Sequence, residues 1–125
     1  MRFSAPPDVQ FEIPDEWWAF ADMDKFSPRT DYYIYSQKQA EIQIVPLAGI
    51  KPPTRSPGTP WFKKYKLMPI FFAFQSPECE LSPIEVLPVD ARPYRFKVYN
   101  GFHRYYASIA AGYTQIPIVV VEIHI

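Results

Sequence analysis

Apolar and polar residues alternate along three stretches of the chain and fall on a helical period in a fourth. From Gln39 the run Gln-Ala-Glu-Ile-Gln-Ile-Val-Pro-Leu alternates at Glu41, Ile42, Gln43 and Ile44, which predicts a half-buried strand ending near Pro46. Pro83–Pro88 supplies Ile84, Val86 and Leu87 for a short strand, and Tyr94, Phe96 and Val98 alternate with Arg95, Lys97 and Tyr99 in another. Asn100-Gly101 ends that strand, and the period then changes. Phe102, Tyr106, Ile109 and Ala110 recur at spacings of three and four, so Phe102–Ala111 reads as a helix whose alanines permit close packing. Gly112 stops it in the left-handed region. Ile116–Val121 follows as an almost continuous apolar strand, covered on both faces or set centrally in a sheet.

The remaining stretches carry weaker signals. Residues 1–13 read as an extended arm with a short edge strand at Val9–Ile13. Pro14, Asp15 and Glu16 suit a helix start, predicting a helix over 15–22. Trp17 and Trp18 cannot both face a core from adjacent helical positions. Tyr32–Tyr35 reads as a strand or hairpin edge, and Leu47–Ile50 as a bend. Lys51–Pro60, with four prolines and a glycine, is a loop. Trp61–Tyr65 opens a helix, whereas Pro69–Phe74 fits a helix turn or a strand, since periodicity does not arbitrate over so few residues. Ser76–Ser82 is a turn.

These elements predict an α+β fold, a small mixed sheet with few helices. The 125 residues are enough for one domain with a core of its own, and 48% apolar residues can fill it. Fifteen prolines imply short elements and rigid connections, while 18% aromatic residues argue against disorder. Thirteen basic and thirteen acidic residues cancel, which does not favour a general DNA-gripping surface. The single cysteine, Cys79, excludes an internal disulfide and a thiolate metal cluster. It sits between Glu78 and Glu80, which oppose a thiolate, so it reads as structural or incidental. With no long apolar run and no leader pattern, the expected location is the cytoplasm, with no membrane partner.

Candidate chemistry lies at the strand-to-helix junction, where Asn100, Gly101, Phe102, His103 and Arg104 are consecutive. A helix start presents unsatisfied N–H groups and the positive end of the dipole. Gly101 permits a tight turn and close approach of a ligand, and His103 and Arg104 can add donors for a phosphate. The alternative is structural: Asn100 caps the helix, His103 is a hydrogen-bonded neighbour and Arg104 pairs with an acid. Lys63, Lys64 and Lys66 form the densest basic cluster, either a solvated helix face or a phosphate or acidic-partner contact. His124 and His103, with no arranged carboxylates, do not make a metal site.

The order of elements from Ile42 resembles the ParB/sulfiredoxin-like (ParB-like nuclease domain) superfamily. The resemblance rests on IVPLAGI at 44–50, on Ser82-Pro83-Ile84 before a middle strand, and on VYNGFHRYYASIAAGYTQIPIVVV at 98–121. It implies one domain over 1–125, with 41–125 as the ParB/sulfiredoxin-like core and 1–40 an extension packed on it. It also implies that Asn100, Gly101, His103 and Arg104 hold a nucleotide or other phosphate-containing ligand, a nucleotide with Mg being the cofactor class. Phosphotransferase and nuclease activities occur within such a family and would need acidic residues, for which Asp90, Glu78 and Glu80 are the candidates. Sulfiredoxins place a catalytic cysteine directly before His-Arg. Phe102 stands there in this chain, so that chemistry is not expected. Partition proteins carry a helix-turn-helix region after this domain, and the resemblance stops short of it. A reading from a different class is a non-catalytic interaction module or homodimer built on the aromatic surface, motivated by Trp17-Trp18, Tyr32-Tyr33 and Tyr105-Tyr106. Of the last pair, one ring is expected to leave the core-facing stripe.

Overall fold

A computed structural model of the chain describes residues 1–39 and 41–122. In chain order the elements are β1 (Arg2–Ala5), β2 (Val9–Glu12), α1 (Asp15–Phe20), β3 (Gln43–Pro46), β4 (Ile50–Lys51), α2 (Lys64–Phe74), β5 (Ile84–Ala91), β6 (Tyr94–Asn100), α3 (Phe102–Ala111) and β7 (Gln115–Val120). Five strands form a mixed sheet in the order β3-β7-β5-β6-β4, and β1 and β2 pair separately as an antiparallel hairpin. The architecture is the expected α+β fold of mixed sheet and few helices.

The connection that positions the site is β6–α3–β7. β5 and β6 pair antiparallel, then α3 carries the chain past β5 so that β7 pairs parallel with its other edge, Ile84 opposite Ile118. β3 closes the far side of β7 antiparallel, and the two residues of β4 pair parallel with β6. β7 therefore has a neighbour on each side, and Ile116 and Ile118 are fully buried. This is why its sequence is apolar without alternation. Gly112 ends α3 at φ +98°, as its position in the sequence predicts.

Three expectations change. Tyr105 and Tyr106 are both fully buried, so neither ring leaves the core. The helix is covered on two sides: the Tyr106 ring lies 4.8 Å from Phe11 of β2 and 5.3 Å from Trp61. The bend at 47–50 is shorter than expected, because Ile50 already pairs with Phe96. Tyr32–Tyr35 forms no strand, only an isolated bridge from Tyr35 to Leu81.

Elsewhere the structure resolves what the pattern leaves open. Trp61–Tyr65 and Pro69–Phe74 belong to one approach and one helix, α2, with Pro69 inside it. A proline there removes a hydrogen bond and costs about 3 kcal/mol or more. Burial of Leu67, Met68, Ile70 and Phe71, at roughly 1.5–3 kcal/mol each, outweighs it. The arm at residues 1–13 is a hairpin turning at Pro6-Pro7-Asp8, where the two prolines mask the first strand. α1 stops at Phe20, two residues early, because Asp22 takes a left-handed conformation at φ +58°. Trp17 and Trp18 are each half-buried, Trp18 packing on Phe3 and edge-on to Phe71.

Candidate functional site

Gly101 is the joint between β6 and α3, at φ +127°. A Cβ on it would lie 2.5 Å from the Ile84 Cγ2 of β5, a side chain with no exposure, so only glycine fits. The Gly101 carbonyl accepts from the Tyr105 N–H at 2.9 Å and starts the helix. Gly101 is itself the capping residue, and among the described residues no side chain caps α3. Asn100, the cap in the structural alternative, donates instead to Glu85 Oε1 at 3.0 Å across the strand pair. Among the described residues the first N–H groups of α3 thus have no side-chain partner.

Arg104 is held by backbone. Its Nη1 donates to the carbonyls of Ser82 at 2.8 Å and Pro83 at 3.0 Å. The Tyr33 hydroxyl donates to the same Ser82 carbonyl at 2.8 Å. Among the described residues no carboxylate pairs with Arg104, so its charge is fixed in place without being neutralised.

His103 is hydrogen-bonded into the fold, as the structural alternative has it. It is only 7% exposed, and the Lys63 N–H donates to its Nε2 at 3.0 Å. The neutral ring therefore carries its proton on Nδ1. Burial, and then the cations Arg55, Lys66 and Lys63, push its pKa down from 6.5 to about 4. At neutral pH His103 is an uncharged fastener for the start of α2.

That fastener holds a strap, residues 52–63, against α3. The Tyr106 hydroxyl donates to the Pro53 carbonyl at 2.6 Å, and the Arg55 guanidinium sits 3.7 Å over the Phe102 ring. Phe62 packs within 6 Å of Phe102, His103 and Tyr106, and Phe11 backs it from the N-terminal hairpin. Between strap, α2 and α3 lies an open cleft of about 450 Å³. Its walls include Thr54, Arg55, Lys66, Asn100, His103 and Arg104, and among the described residues no carboxylate lines it. The Arg55 Nε is buried and makes no hydrogen bond among the described residues.

Asn100, Gly101, His103 and Arg104 therefore come together in one cleft. Asp90, Glu78 and Glu80 do not line it. All three are exposed, Asp90 near the end of the β5–β6 pair and the glutamates in the connection after α2. Cys79 is exposed in the same connection, and His124 lies outside the described residues. Sequence reasoning misses Arg55, a lone arginine in a proline-rich loop that carries no motif. Of the lysine cluster, for which the sequence allows two roles, Lys66 lines the cleft. No group of three or more His, Cys, Asp or Glu able to hold a metal is found among the described residues.

The model of the ParB N-terminal domain matches residues 33–124. The chain belongs to the ParB N-terminal domain family. Its match begins at Tyr33, so the β1–β2 hairpin and α1 stand outside it. A similar solved structure is the C-terminally truncated chromosome-partitioning protein ParB from Caulobacter crescentus, complexed with CTP-gamma-S. The two share 21% identity at a TM-score of 0.50, over 68% of this chain and 46% of that one. The chain thus spans less than half the length of that ParB, and the likeness is one of fold. No curated protein matches. Among the described residues no helix is long and apolar enough to cross a membrane.

Proposed function

We propose that this ParB-like domain binds a nucleotide through its phosphates in the cleft between the starts of α2 and α3. One observation carries the reading: Arg55, Lys66 and Arg104 converge on a cleft that no carboxylate lines among the described residues. Such a cluster repels itself, and an unpaired buried donor such as the Arg55 Nε costs about 1–3 kcal/mol. A polyanion in the cleft relieves the repulsion. The uncapped start of α3 adds N–H donors and the positive end of a dipole. The ParB of similar fold, crystallised with CTP-gamma-S, supports the same ligand class.

The residues favour binding over chemistry. Phosphoryl transfer or nucleic-acid cleavage needs a base or metal-holding carboxylates near the phosphates. The acid closest in bonding to the cleft is Glu85, held through Asn100 at its rim. A divalent ion arriving with the nucleotide would find its protein oxygen donors there, at Asn100 and Glu85.

Calorimetric titration with CTP, ATP, GTP and UTP, each with Mg²⁺, tests the reading. Saturable binding is expected, weakened tenfold or more by Arg55→Ala and by Lys66→Ala, since a charge-assisted hydrogen bond contributes about 1.5–3 kcal/mol. Absence of saturable binding to every nucleotide at millimolar concentration refutes it.

A further inference from the structure

α2 carries its charges against its own dipole. Lys63 caps it, Lys64 and Lys66 follow in its first turn with no acid among them, and its last turn has no base. Glu78 and Glu80 lie just beyond its C-terminal end, both exposed. A charge of the wrong sign at a helix end is unfavourable. The cleft accounts for Lys66, but Lys63 and Lys64 do not line it. Among the described residues Lys63, Lys64, Glu78 and Glu80 enter no salt bridge.

Between the two charged ends runs an apolar ridge. Tyr65, Pro69 and Phe72 follow one another at spacings of four and three, on one face of the helix. Tyr65 is 68% exposed and Phe72 44%, and Pro69 is exposed between them. Phe20 of α1, 64% exposed, packs edge-on to Phe72 at 6.0 Å and carries the Lys64 ammonium 4.9 Å above its ring. Aromatic side chains this exposed in one patch mark a surface that meets another molecule.

We propose that the ridge takes a second copy of this chain, with the two α2 helices antiparallel about a two-fold axis. The charge pattern selects that occupant, because it is complementary to itself when reversed. Tyr65 of one copy then lies by Phe72 of the other. Lys63 and Lys64 meet Glu78 and Glu80 together with the negative pole of the opposite helix. Charges that are unfavourable within one chain become favourable between two. The 11 residues of α2 span about 16 Å, which sets the length of the ridge. A ridge one helix long falls short of the roughly 800 Å² per partner of a standard interface, so the dimer is a weak, concentration-dependent one.

Sedimentation velocity across about 10 µM to 1 mM tests this, a range that brackets weak association. The mass is expected to rise toward a dimer. Tyr65→Ser and Phe72→Ser, at exposed positions, abolish the rise while leaving the melting temperature nearly unchanged. Lys63→Glu with Lys64→Glu weakens the dimer, Glu78→Lys with Glu80→Lys does the same, and all four changes together restore it. A monomer throughout, or a dimer indifferent to the ridge changes, overturns the proposal. Failure of the fourfold exchange to restore association overturns the antiparallel arrangement. Cys79, the single thiol, gives an independent readout through a thiol-to-amine cross-linker applied to mixed isotope-labelled and unlabelled protein. Links from Cys79 to Lys63 or Lys64 of the other copy are expected, and links only to remote lysines contradict it.

Discussion

The two walls of the cleft are held in different ways. The α3 wall is fixed by backbone: Gly101 fits where a Cβ would strike Ile84, and Arg104 is tied to the carbonyls of Ser82 and Pro83. The strap wall is fixed by side chains reaching from α3, with Tyr106 and His103 each providing one hydrogen bond and Phe102 a ring face. One wall is part of the sheet's packing; the other is fastened onto it. Changes in the first wall should therefore cost the fold, and changes in the second should cost ligand first.

Gly101→Ala is the most severe test. Left-handed strain plus overpacking against Ile84 should destabilise by roughly 2–4 kcal/mol in denaturant unfolding. A neutral result would place the α3 wall in the same class as the strap. Arg104→Ala follows, losing about 1.5–3 kcal/mol because two carbonyl bonds vanish together with a cleft charge. Arg104→Lys should recover ligand charge better than it recovers stability.

Acidification comes next. Unfolded His103 protonates near 6.5 and the folded ring only near about 4, so protons favour the unfolded chain. The stability due to the neutral ring is complete above about 6.5 and is lost as pH falls toward about 4. The loss is at most about 3 kcal/mol, at about 1.4 kcal/mol per pKa unit. Unfolding followed over that interval should show a flatter profile in His103→Gln than in the parent. Tyr106→Phe removes one hydrogen bond to the strap, worth about 1 kcal/mol. It should speed amide exchange in residues 54–63 more than in α3. Arg55→Ala should be the mildest for the fold, within about 0.5 kcal/mol, because it also removes an unpaired buried donor. Its effect should appear in nucleotide affinity.

The contrast also explains what can be read in advance. The β6–α3–β7 unit is legible almost to the residue, because period, glycine and apolar continuity all report local structure. Gly101, His103 and Arg104 are legible as neighbours for the same reason. Arg55 is not, since its place depends on contacts between residues 53 and 40 positions apart, Pro53 with Tyr106 and Lys63 with His103. For His103 the sequence leaves two roles open, a donor to phosphate or a hydrogen-bonded neighbour of the fold, and in the structure its Nε2 accepts from the Lys63 N–H. The first strand is hidden by the prolines that make its turn. The closing of α2 around Pro69 is hidden because burial, which overrides helix propensity, cannot be seen in six residues.

Phosphates are expected to enter the cleft of Arg55, Lys66 and Arg104 beside a neutral histidine. NMR titration of the His103 ring with and without CTP and Mg²⁺ tests this most directly. Burial holds the ring's pKa down first, and the charges of Arg55, Lys66 and Lys63, which bound phosphate offsets, lower it further. The midpoint should therefore rise from about 4 when nucleotide saturates, with shifts concentrated at Arg55, Lys66 and Gly101–Arg104. Saturating nucleotide that leaves the His103 midpoint unmoved and shifts residues elsewhere would contradict it.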